Sequence, residues 1–417
     1  MKNILILTYT DDGGAGIATV NFARALRDLG HNITILVRVK KSDVEFVEEI
    51  KKKKTDNTNL KNRIVKKIQK KIPFLKRKLA LDEKYFFFLN DDRNPFFQSE
   101  DFIPYIDFTP DIIIGSWLSY LTNFENIGIL ARKFGAKAYV LTMDMGNLTG
   151  GCHYAWDCEG YKKNCQSCPA IKNTNSLKKL ASRNLSNRME AVAKYNINVI
   201  SCSLETQKQA KSSILFKNQL DIKRYNGIID FEIFNPKNRE TSRNNLKFNE
   251  DSRIILVGSA DINDKRKGFD KLVEALHILD KMTNNKIQLI VISKVGELKE
   301  NFKNIEVIHY GFIEDSAVLA DLYRSANVYI SSSVQDSGPV MVLQALACGT
   351  PVVGFEVGFV MEYIENGKNG FICRNFNTND MAKNTLQILN SKNNFWSENA
   401  HNSVKTKLTS EQLSNFF

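Results

Sequence analysis

No stretch of the 417 residues approaches the 18 or so consecutive apolar residues that a membrane-crossing helix needs. The opening Met1-Lys2-Asn3-Ile4-Leu5-Ile6-Leu7 is too short an apolar run for a secretory leader, and Asp11 and Asp12 follow it closely. A cytosolic chain is therefore expected, with its seven cysteines reduced. Acid is almost absent from one segment. Residues 51–80 hold thirteen Lys/Arg against Asp56 alone, which sums to +12 and equals the formal net charge of the whole chain. The remainder is near neutral, which excludes a uniformly basic nucleic-acid binder and predicts one local basic patch. Disorder throughout is excluded by a 43% hydrophobic and 25% charged composition. The length suits two or three domains with full cores.

The apolar runs that are present fall into a repeating α/β grammar. Strands are predicted at Ile4–Thr8, Ile33–Val37, Asp111–Gly115, Ala138–Thr142 and Ile197–Ser201, with helical stretches between them. The first helix is expected to follow a glycine-rich turn, Asp11–Gly16, and to end near Gly30. Residues 41–100 interrupt the pattern. Ile64, Val65, Ile68, Ile72 and Leu75 recur at near-helical spacing among lysines, so part of this insertion reads as a basic amphipathic helix ended or kinked at Pro73. The pattern restarts with strands at Ile254–Gly258, Ile287–Ser293, Ile305–His309, Val328–Ser332 and Pro351–Phe355, and helices at Gly268–Leu279, Ala317–Arg324 and from near Pro339. Two Rossmann-like domains facing each other across a deep cleft are expected, joined within residues 203–245.

Three places carry chemistry. Gly13-Gly14-Ala15-Gly16, between strand and helix, lets backbone N–H groups approach an anion; a plain tight turn is the other reading. It lacks the third glycine of the dinucleotide pattern and the Lys-Ser/Thr of a P-loop. Asp264-Lys265-Arg266-Lys267-Gly268 sets three cations where a helix is expected to open; opposing the helix dipole, they suit a phosphate there. After the strand ending in Ser331 and Ser332, the turn Asp336-Ser337-Gly338-Pro339-Val340 leads into a helix carrying Gln344, with Pro at its first position and free N–H groups expected at Gly338 and Val340.

Asp336-x7-Gln344, followed by Ala-Leu-Ala-Cys-Gly-Thr-Pro-Val-Val, resembles the acid-x7-acid motif of the retaining GT-B glycosyltransferases of family 4. Gly13–Gly16, Asn226-Gly227-Ile228-Ile229-Asp230, Lys267-Gly268, Gly358 to Glu362 and Asn366-Gly367-x-x-Gly370-Phe371 are similar to further segments of that family. Thr149-Gly150-Gly151-Cys152-His153-Tyr154 is similar to its capsule, O-antigen and exopolysaccharide branch, of colanic-acid type. The resemblance implies transfer from a nucleoside diphosphate sugar to a lipid-linked or growing surface-polysaccharide acceptor, with no cofactor for catalysis. It implies catalytic roles for Lys267, Arg266 and Asp336. Donor binding falls to Gly14, Gly16, Asn226, Gly258, Gly338, Pro339, Val340 and Gln344, and acceptor-side roles to Asp144 and His153. The domains implied are 1–225 on the acceptor side, with the basic insertion 41–100 and a Cys-rich loop 149–172, then 226–395 on the donor side. Residues 396–417 are expected to cross back to the first domain.

The chain departs from the family pattern at Gln344 in place of the second acid, Met143 where a His often stands, and Ser259 where an Arg is usual. These departures keep a rival in view, a non-catalytic GT-B partner of an active transferase. A nucleotide-sugar epimerase fits less well, because the chain has five histidines and none lies in the donor-side motifs. Cys152, Cys158, Cys165 and Cys168, two of them in a C-x-x-C, suit a structural Zn²⁺; a disulfide pair and free thiols are the alternatives. Residues 51–80 are expected to meet anionic lipid at the inner face of the cytoplasmic membrane, with a solvated helical hairpin as the other reading. No nucleic-acid module is recognisable, so no such partner is expected.

Overall fold

The computed structural model describes residues 1–52, 81–172, 177, 179–391 and 395–417. The expected basic amphipathic helix, Lys51 and Lys52 apart, lies outside the described residues. The chain divides into two compact units, Met1–Tyr225 with Leu413–Phe417, and Asn226–Gln412. Among the described residues no helix is long and apolar enough to cross a membrane.

The first unit is built on β1 (Asn3–Thr10), β2 (Asn32–Val39), β3 (Val47–Glu49), β4 (Ile112–Gly115), β5 (Lys137–Thr142), β6 (Asn198–Ser201) and β7 (Lys223–Arg224). They form one sheet in the order β3-β2-β1-β4-β5-β6-β7, every pair parallel. Ile4 to Leu7 are fully buried, as a strand covered on both faces requires, so the run is continuously apolar rather than alternating. The Phe124–Phe134 helix shows how local chemistry sets the ends of an element. The Asn123 side chain accepts from the Asn126 N–H at its start, and Gly135 closes it at φ +68°.

Residues 41–100 are not wholly an insertion. β3 adds a strand to the sheet edge through Val47 at 2% exposure, and Phe87 and Phe97 enter the unit's core. Apolar burial outweighs the polar look of the flanking sequence.

The second unit carries β8 (Ile254–Asp261), β9 (Ile287–Val295), β10 (Ile305–Gly311), β11 (Val328–Ser331), β12 (Val352–Phe355) and β13 (Gly370–Cys373), in the order β10-β9-β8-β11-β12-β13, again all parallel. One apolar cluster includes Leu256, Tyr323 and Leu343; a separate one includes Ile255, Leu276 and Phe355. Ile255 and Leu256 are neighbours on β8, whose side chains point to opposite faces, so each face of the sheet has its own core. In each sheet the strand order reverses at one central position. β1 lies between β2 and β4, and β8 between β9 and β11. Such a reversal parts the flanking connections and leaves a crevice at the carboxyl ends of the central strands.

Candidate functional site

In the second unit, the loops after β8 and β11 meet at that reversal. The three cations do not open a helix. Lys265–Lys267 form a separate single 3-10 turn, capped by Asp264, whose carboxylate accepts from the Arg266 N–H at 3.0 Å. Gly268 then takes φ +60°, and the long helix starts at Phe269. The left-handed residue between the turn and the helix is the reason for the break. The turn is fastened to the loop after β11. The Val334 N–H donates to the Arg266 carbonyl at 2.8 Å, and the Ser332 hydroxyl donates to the Lys267 carbonyl at 2.7 Å. A Cβ on Gly268 would lie 2.2 Å from the Ser332 carbonyl oxygen.

This fastening brings the cations to Asp336. Lys267 Nζ lies 2.7 Å from Asp336 Oδ2, and Arg266 Nη1 lies 4.0 Å from the same oxygen. Burial pushes the Asp336 carboxyl up, but Lys267 and Arg266 outweigh it and hold the group below the usual carboxylate value. The Gly338 N–H donates to Asp336 Oδ1 at 3.2 Å, so one of the two amides expected to be free is engaged within the loop. Pro339 is the N-cap of the Val340–Ala347 helix rather than its first residue. Gly258 gives way to that helix, since a Cβ there would meet Met341 Cε at 2.3 Å. Gln344 stands apart from the charged cluster in its bonding; its Oε1 accepts from the Tyr323 hydroxyl at 3.1 Å. Asn226 is held by its backbone. Its N–H donates to Gln412 and its carbonyl accepts from Tyr363, while its buried Oδ1 has no hydrogen-bond partner among the described residues.

In the first unit the glycines do not form a loop before the helix. The helix runs Gly13–Asp28, capped by Asp12, so Gly14 and Gly16 lie in its first turn. Gly16 has a packing reason, because a Cβ would lie 2.6 Å from the Asp11 carbonyl carbon. Around Gly14 nothing lies within 4 Å of that position.

Beside this turn, at the carboxyl ends of β4 and β5, Asp144 and His153 come together. His153 Nδ1 lies 2.7 Å from Asp144 Oδ2, and His153 Nε2 lies 3.0 Å from the Ser119 hydroxyl. A carboxylate only accepts, so Nδ1 carries the proton shared with Asp144. Gly146 allows the ring to lie there, since a Cβ would stand 2.6 Å from His153 Cε1. Arg188 fixes the loop from below, donating to the Gly146 and Thr149 carbonyls and to Asp92. Ala15, Trp117, Ser119, Asp144 and His153 line one small pocket. Ser119 and Tyr323 carry no motif and were not among the residues expected from sequence.

Among the described residues no three His, Cys, Asp or Glu side chains are grouped so as to hold a metal ion. Cys152, Cys158, Cys165 and Cys168 are all free thiols, without a disulfide between them. Burial pushes the Cys152 and Cys165 thiols up, and Cys168 to about 11. Cys152 and Cys165 belong to the apolar core.

With this geometry, comparison with known proteins is informative. Residues 238–403 match a family described as Glycosyl transferases group 1. Over 165 residues the chain is 30% identical to an uncharacterized glycosyltransferase of Haemophilus influenzae, an alignment covering 38% of this chain and 45% of that protein. The chain spans about half the length, or less, of the curated relatives it matches. Among solved structures, sucrose-phosphate synthase from Thermosynechococcus elongatus is similar at a TM-score of 0.65 and 14% identity, over 99% of this chain and 96% of that one. Anabaena Alr3699/HepE in complex with UDP-glucose is similar at a TM-score of 0.59 and 14% identity, over 100% and 98%. At such identities the likeness is one of fold. The fold is GT-B, two Rossmann-like α/β domains, each on a parallel sheet.

Proposed function

We propose that the chain is a retaining glycosyltransferase of family 4, in the surface-polysaccharide branch, which moves a hexose-type residue from a nucleoside diphosphate sugar to a lipid-linked glycan. The observation that carries this reading is the cluster of Lys267, Arg266 and Asp336 at the strand-order reversal of the second unit. Two cations around one carboxylate, at the carboxyl end of a parallel sheet, suit a diphosphate. Without donor, Asp336 occupies Lys267. A bound diphosphate competes for that ammonium and leaves the carboxylate to the donor sugar's hydroxyls. As the bond from the anomeric carbon to the β-phosphate oxygen breaks, charge builds on that oxygen, and Lys267 and Arg266 stabilise it. The acceptor oxygen bonds to the same face of that carbon, and its proton passes to the leaving phosphate oxygen. In this reading the acceptor hydroxyl lies in the Ser119–His153–Asp144 pocket of the first unit. Residues 51–80 bring the chain to anionic lipid at the inner membrane face.

The test is incubation of purified protein with a panel of nucleoside diphosphate sugars and lipid-linked acceptors in anionic vesicles, read by mass spectrometry and thermal shift. Lys267→Ala should slow transfer about tenfold or more, and removal of residues 53–80 should abolish sedimentation with the vesicles. No transfer and no nucleotide-induced shift in melting temperature would defeat the enzyme reading. A second reading, a non-catalytic GT-B partner of an active transferase, is favoured by one contact. The amide oxygen of Gln344 is already engaged by Tyr323.

A further inference from the structure

The first unit contains another cavity, of about 220 Å³, on the β2 side of the His153 pocket. Its lining includes Arg38, Asn90, Asp91, Asn94, Phe96 and Tyr120, and nothing in the reading above uses it. Tyr120 sits at φ +62°, a left-handed conformation uncommon for an aromatic residue. It is held there from both sides. Its N–H donates to Asn90 Oδ1 at 3.1 Å, and its carbonyl accepts from Arg38 Nη1 at 2.6 Å. Strained backbone persists where the surroundings over-determine it, and it concentrates at binding sites.

The chemistry of the wall narrows the ligand. Phe96 is 39% exposed, with the Arg38 guanidinium carbon 3.4 Å from its ring centroid. Arg38 gives one N–H to the Tyr120 carbonyl and its face to the Phe96 ring, and Lys52 Nζ lies 4.7 Å from the centroid of the same ring, so cations frame this wall. The Arg93 hydrogen bond, with Arg183 also beside it, holds Asp91 down to about 2, so its carboxylate is ionised and its charge offset. Amides, an offset carboxylate and aromatic surface suit a molecule with a ring of hydroxyls and an apolar C–H face. The Phe88 ring lies between Tyr120, which lines this cavity, and His153, which lines the neighbouring pocket. The Phe88 ring centroid lies 5.3 Å from that of Tyr120 and 4.6 Å from that of His153.

We propose that this cavity is an outer acceptor subsite for a pyranose residue, one sugar removed from the hydroxyl that meets Ser119 and His153. The ligand class follows from the cavity itself; the word acceptor rests on the glycosyltransferase reading. The experiment has two arms, using the full-length chain. Saturation-transfer NMR with neutral gluco-, galacto- and manno-trisaccharides should show binding of at least one, weakened about tenfold in Phe96→Ala and also weakened in Asn94→Ala, a change at an exposed position. In transfer assays, Phe96→Ala should lower kcat/KM for that trisaccharide relative to its monosaccharide glycoside by about tenfold. Binding without transfer by the wild-type chain would sink the transferase reading and leave the sugar subsite standing. Transfer with an unchanged trisaccharide preference, or no trisaccharide binding that the two variants weaken, would overturn the subsite.

Discussion

At the residue scale, Gln344 stands eight positions after Asp336 and gives its amide oxygen to the buried Tyr323 hydroxyl. A carboxylate at this position would satisfy Tyr323 with one oxygen and keep the other for a ligand hydroxyl. Gln344→Glu is therefore expected to tighten nucleotide binding by about threefold to tenfold, the worth of one charge-assisted hydrogen bond. Isothermal titration with nucleoside diphosphates measures it, and an unchanged affinity would favour the non-catalytic partner. Much of this site was legible as motifs. Lys267 and Asp336 are named by their neighbours in sequence, because a glycine turn and a proline-led helix start leave local signatures. That the two pair with each other is not legible, since 69 positions separate them and only the fold brings them together. Ser119 left no trace, being an ordinary serine 34 positions from the histidine it meets.

At the element scale, the turn Lys265–Lys267 is a structure in its own right. It is tied by Val334 and Ser332 to the loop after β11. Gly268→Ala meets two obstacles, a φ of +60° and a Cβ 2.2 Å from the Ser332 carbonyl oxygen. A loss of about 2–3 kcal/mol is expected in chemical denaturation, together with a loss of nucleotide-induced stabilisation, because Lys267 would move with the backbone. A variant as stable as the wild type would show that the turn yields freely. The long buried strands were readable from continuous apolar runs, and β1, β8 and β9 follow them closely. The short β3, β7 and β13 were not. Val47-Glu48-Glu49 and Lys223-Arg224 carry charge in place of an apolar run and a glycine opens β13, whereas β4, β6, β11 and β12, no longer than β13, follow readable apolar runs; the pairing of the first three is set by neighbours distant in sequence.

At the scale of the whole molecule, the last five residues belong to the first unit although nearly two hundred residues of the second precede them. The Phe416 ring lies 6.1 Å from Phe22, and Phe417 lies 5.5 Å from Tyr139. Leu413 is fully buried. Deleting Leu413–Phe417 should cost roughly 3–6 kcal/mol for the lost apolar burial. In calorimetry the loss should fall on one of two transitions, with the other unmoved. A single transition, lowered as a whole, would mean that the units unfold together.

That return of the chain also bears on synthesis. Translation at roughly 5–20 residues per second separates Tyr225 from Leu413 by roughly 10–40 s, time in which the nascent first half carries an uncapped aromatic surface near Phe22. The first unit waits on Leu413–Phe417 for its completion, and a ribosome stalled in between leaves that aromatic surface open to chaperones.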